Sequence, residues 1–62
     1  MNNRSEARQN AHIEALERWY EREMDNLDED LMQGRINQDE YNKLVKSMNR
    51  DYAKDYNDIV AR

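Results

Sequence analysis

The stretch Gly34-Arg35-Ile36-Asn37-Gln38-Asp39-Glu40-Tyr41 reads as the end of one helix and the start of another, with a turn at residues 34–37 between them. Gly34 can take the left-handed conformation that ends a helix without the penalty a Cβ brings, so the first helix should stop near Gln33. Asn37 is a strong N-cap, and Glu40, three residues on, can reach back to the cap's own N–H and complete a capping box. Ile36 and Tyr41 flank that cap at the staple positions, where their contact sets the angle of entry into the second helix. Everything else in the chain pairs across this point.

Asn3 with Glu6 forms a second capping box, so the first helix is expected to run from about residue 3 to residue 33. Its apolar positions are Ile13, Leu16, Tyr20, Met24, Leu27 and Leu31. The second helix, about 38–61, carries Tyr41, Val45, Met48, Tyr52, Tyr56 and Ile59. Both stripes mix spacings of three and four into an eleven-residue repeat, which stays nearly straight along a helix instead of winding like a heptad seam. The stripes also mirror one another about the turn. Leu31 faces Tyr41, Leu27 faces Val45, and so on to Ile13 with Ile59, the residue numbers of every pair adding to 72. Six matched layers predict an all-α antiparallel two-helix hairpin, one domain covering residues 1–62.

Composition sets the bounds on what such a hairpin can do. Sixty-two residues with 39% charged side chains, one glycine, no proline and no cysteine describe long solvated helices with neither disulfide nor thiolate metal site. So small a domain rarely buries enough apolar surface alone, so the hairpin is expected to dimerise into a four-helix bundle or to dock on a larger protein. No apolar run approaches the roughly 18 residues of a membrane span, and Met1-Asn2-Asn3-Arg4-Ser5 lacks the apolar core of a signal peptide. A soluble cytoplasmic protein is expected, without membrane association.

Trp19 is the outlier of the first helix. It lies about 110° from the centre of the apolar stripe, with His12 on the same flank, and tryptophan is the residue most enriched at interface hot spots. Trp19, Leu16 and His12, joined by Leu44 from the second helix, therefore form the candidate contact patch. The ordinary alternative is a tryptophan that covers the edge of the seam or closes a homodimer.

The net charge of −4 is uneven: residues 25–40 carry six acidic side chains and one basic, whereas residues 41–62 carry five basic and three acidic. Asp39 and Glu40 suit the positive start of the second helix. Asp28, Glu29 and Asp30 sit at the end of the first, where the dipole disfavours negative charge, so they form a second candidate contact site for a basic partner. Lys43, Lys46, Arg50 and Lys54 make a ridge opposite the seam, read as a solvated outer face with Asp51 and Asp55 moderating it. Direct nucleic-acid binding is the weakest of these readings. The lone His12 has no companion at metal-ligand spacing, the tyrosines fall in the seam with hydroxyls toward water, and no nucleophile–base pair or phosphate loop is present. No enzyme, metal or cofactor is expected.

Over residues 27–44 the pattern Leu27-x-x-x-Leu31-x-x-Gly34-x-Ile36-Asn37-x-x-Glu40-Tyr41-x-x-Leu44 resembles the short C-terminal domain (SHOCT) family, whose members carry a leucine helix, a G-x-I-[T/S/N]-x-x-E-[F/Y] turn and a second helix. The resemblance implies a helical hairpin used in oligomerisation or protein contacts. In size and style the chain also looks like the short helical proteins of bacteriophages, often inhibitors or assembly factors. Two functions are thus expected to compete. One is a non-enzymatic interaction or oligomerisation module; the other is a small acidic inhibitor that occludes a basic or nucleic-acid-binding surface of a host or defence protein, acting then in the host cytoplasm.

Overall fold

A computed structural model describes residues 3–61, with side chains from Ala7 to Ala61. Two helices are present, α1 from Asn3 to Met32 and α2 from Gln38 to Val60, and they pack against each other as an antiparallel hairpin. The side chains of Asn3 and Glu6 lie outside the described residues, so the first capping box does too.

The reversal is built as its residues predict. Gly34 has φ +77°, and no other described residue outside glycine has a positive φ. Its N–H donates to the Leu31 carbonyl at 3.1 Å while the Arg35 N–H donates to the Asp30 carbonyl at 2.9 Å. These are the two bonds of a Schellman motif, and they satisfy carbonyls that the end of α1 would otherwise leave open. The usual apolar contact of that motif is replaced by an ion pair, Arg35 Nη1 to Asp30 Oδ1 at 2.8 Å. Asn37 then opens α2 with extended backbone, φ −93° and ψ 176°. The Glu40 N–H donates to Asn37 Oδ1 at 2.8 Å, and the Asn37 N–H donates to Glu40 Oε1 at 3.2 Å. Both halves of the capping box are made. Ile36 and Tyr41, the staple pair, are half-buried.

From the turn the helices run back along a single seam. All six predicted positions of α1 are buried or half-buried, and so are five of the six in α2. Tyr56 is the exception at 38% exposed, although its ring stacks on Tyr52 at 6.2 Å between centroids. Tyr20 meets Tyr52 edge-on at 5.2 Å, one of the predicted layers seen directly. Three polar contacts also cross between the helices, from Gln9 Nε2 to the Ile59 carbonyl, Tyr20 Oη to Asn49 Oδ1 and Tyr41 Oη to Asp28 Oδ1. Their residue numbers add to 68 or 69, a nearly constant value that only an antiparallel pair gives. The tyrosine hydroxyls of Tyr20 and Tyr41 are thus tied to the opposite helix, where the sequence pattern predicts hydroxyls turned to water.

The hairpin has little interior. It is a ribbon of 51 × 16 × 9 Å, two helices wide and one thick. Its radius of gyration is 14.9 Å, against about 10.5 Å for a compact chain of this length. Among the described residues only Leu16 and Met48 are buried apolar side chains, at 9% and 6% exposed, and none is fully enclosed. The 30 residues of α1 also outrun the 23 of α2, so the start of α1 projects past the end of its partner.

No atom would stand within 4 Å of a Cβ added at Gly34, so a substitution there meets only backbone strain. Left-handed backbone costs about 1–2 kcal/mol for an L-residue, offset by about 0.4–1 kcal/mol from the stiffer unfolded chain. Gly34→Ala should therefore lower stability by about 1 kcal/mol in urea unfolding at fixed protein concentration, and Gly34→Asn by less, because asparagine visits this region more readily. Equal midpoints for the wild type and Gly34→Ala would contradict the Schellman geometry.

Candidate interaction face

The ribbon has two broad faces, and they differ in chemistry. On one, the cleft between the helices is lined by Glu17, Tyr20, Glu21, Asn49 and Tyr52. Asn49, Tyr52, Tyr56 and Val60 follow one another at helical spacing, so this tyrosine face also takes in the exposed Tyr56 and Val60. Met32, 83% exposed, continues the row of Glu21 and Asp28 on the same side.

The other face carries Trp19. There Trp19, Leu27, Leu44 and Met48 line an open groove together with Glu23, Ser47 and Asp51. Further from the turn the same face continues into a second depression, where Leu16, Ala15 and Ile59 are bordered by His12, Asp55 and Asp58. Leu44, Ser47, Asp51, Asp55 and Asp58 are spaced by 3, 4, 4 and 3, so they form one row along α2 beside the buried seam. Sequence reasoning interleaves Asp51, Asp55 and Asp58 with the basic ridge and leaves Glu23 aside. The structure puts all four carboxylates on the border of the Trp19 face, with no lysine or arginine among the lining residues.

The predicted patch is brought together only in part. Trp19 and Leu44 share a groove, Trp19 half-buried and Leu44 44% exposed. His12 is exposed and lies in the neighbouring depression. Leu16 forms its floor but is buried, so it supports the surface more than it offers itself to a partner.

The acidic tip serves the turn. Asp28 accepts the Tyr41 hydroxyl at 2.6 Å, and Asp30 accepts from Arg35. Two of the three carboxylates that the helix dipole disfavours are thereby occupied with holding α1 to the start of α2, and Glu29 alone is exposed without a recorded side-chain partner. The Asp30 carboxylate holds the Arg35 guanidinium above its ordinary value through their hydrogen bond, with burial opposing weakly. Exposed pairs of this sort contribute little energy, so the effect of Arg35 is chiefly to fix the path of the turn. The hydrogen bond to Asp28 likewise raises the Tyr41 phenol above its ordinary value, with burial adding to it.

Lys43, Lys46 and Arg50 border a separate exposed hollow on α2, with Lys54 exposed further along. Among the described residues no three His, Cys, Asp or Glu side chains converge as a metal site would need. No helix among the described residues is long and apolar enough to cross a membrane. No protein-family model, curated protein or solved structure matches the chain.

The Tyr41–Asp28 bond has a measurable consequence. A phenol raised on folding contributes stability that is complete below its unfolded value near 10 and is lost as pH rises through the higher folded value. Tyr41 should therefore give a late component, above the ordinary tyrosine range, in a tyrosinate-absorbance titration. Tyr41→Phe should remove that late component, and Asp28→Asn should bring it back toward the ordinary range. A late component that survives Tyr41→Phe would show that the bond does not persist in solution.

Proposed function

We propose that this chain is a non-enzymatic interaction module, a helical hairpin that completes its fold against another protein surface. The observation that carries this reading is the thinness of the ribbon. Its accessible surface is 5183 Å², against about 4300 Å² for a compact monomer of 7.6 kDa. The excess is apolar in part, since Met32, Leu44, Tyr56 and Val60 are all exposed. Such surface on so small a domain is stabilised by a second layer. The resemblance of residues 27–44 to the SHOCT hairpin agrees with a role in assembly.

A second copy is the first source of that layer, giving a four-helix bundle. Three of the four exposed large apolar side chains belong to the tyrosine face, which makes it the better dimer surface. Placing two Trp19 faces together would desolvate eight carboxylates, against four from Glu17 and Glu21 of two tyrosine faces, with no lysine or arginine lining either cleft. The acidic-inhibitor reading keeps one support, the row of carboxylates beside Trp19, and moves from the turn to that face.

Sedimentation equilibrium with circular dichroism tests the module. At micromolar concentration the wild type should be a dimer whose helicity falls on dilution, and Tyr56→Lys with Val60→Lys should shift it to monomer. Trp19→Ala should leave the mass unchanged. A monomer that unfolds cooperatively with full helicity at every concentration would remove the need for a second layer.

A further inference from the structure

We infer that the Trp19 face is a docking groove for a cationic amphipathic helix of another protein, an inference that rests on the module reading above and names its partner class. The floor of the groove is apolar and partly open, with Trp19 half-buried and Leu44 44% exposed. Tryptophan and leucine in a channel between two helices suit the i, i+3, i+4, i+7 anchors of a third helix. End to end, the two depressions follow α1 from His12 to Leu27, sixteen residues spanning roughly 22 Å at about 1.5 Å per step, the length of a four-turn helix.

Charge decides among the possible occupants. Asp51, Asp55 and Asp58 form a rail along α2, and Glu23 stands on the opposite wall. The rail has spacings of 4 and 3, so a helix laid alongside matches it with lysine or arginine at the same spacings while its apolar face meets Trp19 and Leu44. The phosphates of a nucleic acid would be repelled by the rail. A second copy presenting its own Trp19 face brings a second set of carboxylates and no cation from the groove lining. At the tip Asp28 and Asp30 are already engaged by Tyr41 and Arg35 and Glu29 stands alone, whereas the rail sets three carboxylates in a row beside apolar ground.

Trp19 is the one tryptophan of the chain and reports on its own groove. The probe is a synthetic helical peptide of about 15 residues, leucine at helical spacing on one side and lysine flanking it, added to the full chain at low salt. Its control has the same composition in an order without helical periodicity. Binding should shift Trp19 emission to the blue with a Kd in the micromolar range, weaken on raising salt, and be clearly poorer for the control. Asp51→Asn, Asp55→Asn and Asp58→Asn together should weaken it about tenfold, the loss expected of three exposed ion pairs. Asp28→Asn, Glu29→Gln and Asp30→Asn together should change it less than about twofold. Circular dichroism of each variant establishes that it folds, and the salt dependence of the wild type tests the rail without any substitution. Equal affinity for the control peptide, a larger effect from the tip variant, or no binding would each overturn the groove while leaving the dimer measurement untouched. A dimer that Trp19→Ala breaks apart would assign this face to a second copy, overturning the groove but not the module.

Discussion

The two hydrogen bonds that close α1, from the Gly34 N–H to Leu31 and from the Arg35 N–H to Asp30, set the position of everything that follows. They require a residue at positive φ, and Gly34 is the only glycine in the chain. Because the reversal occupies so few residues, the start of α2 has almost no freedom to slide along α1, and the register of every layer is decided at the tip. Asp28 with Tyr41 and Asp30 with Arg35 extend that control over one turn on each side. Carboxylates that oppose the helix dipole would be a liability on an isolated helix. Here their hydrogen bonds bring the first turn of α2 down onto the last turns of α1.

A fixed register does not create an interior. In a pair of helices each residue has neighbours on one side only, so even the central layer leaves most of its perimeter open. Leu16 and Met48, the two apolar side chains that reach burial among the described residues, each lie near the middle of a helix. Towards the far end the chain turns to Tyr52, Tyr56 and Ile59, and Tyr56 is already exposed. The hydroxyls of Tyr20 and Tyr41 show how the seam copes with this lack of cover. Their rings supply apolar area while their Oη atoms bond Asn49 and Asp28 at the edge.

The turn could be read residue by residue because each part of it is a local signal: glycine, cap, box and staple all act within a few positions. The seam could be read because its mirror symmetry about the turn is a pattern in residue numbers alone. Trp19 stood out by its angle on the wheel, and the structure does put it on a flank with Leu44. What escaped was the use of the acidic residues. That Asp28 and Asp30 have partners in Tyr41 and Arg35 is not visible in the sequence, because those partners lie on the far side of a chain reversal. Asp51, Asp55 and Asp58 looked like companions of the lysine ridge because the wheel of α2 alone does not say which of its flanks faces the same way as Trp19. That depends on how α2 is rotated against α1, a tertiary quantity. One clue was available, since those aspartates extend the spacing row that starts at Leu44.

The fourteen carboxylates of the chain therefore divide by the work they do, and the division bears on function more than their number does. Asp39 and Glu40 begin α2, Asp28 and Asp30 lock the reversal, and Glu17 and Glu21 border the tyrosine face. Glu40, Asp28 and Asp30 each have a partner within the hairpin and Asp39 lies in the first turn of α2, where the helix dipole favours it, so charge removed there is felt first as stability. Among the described residues Glu23, Asp51, Asp55 and Asp58 meet no side-chain partner, and they border apolar ground. Carboxylates bordering apolar surface oppose its closing on its own kind in proportion to their number, four on the Trp19 face against Glu17 and Glu21 on the tyrosine face, because covering them without a counter-charge costs desolvation. The same groups leave the surface open to a partner that brings cations. A one-layer hairpin with apolar surface on both faces would associate without direction. With Asp51, Asp55 and Asp58 along only one side of α2, its two faces are made unequal, so the proposed self-association and partner recognition would fall on separate surfaces.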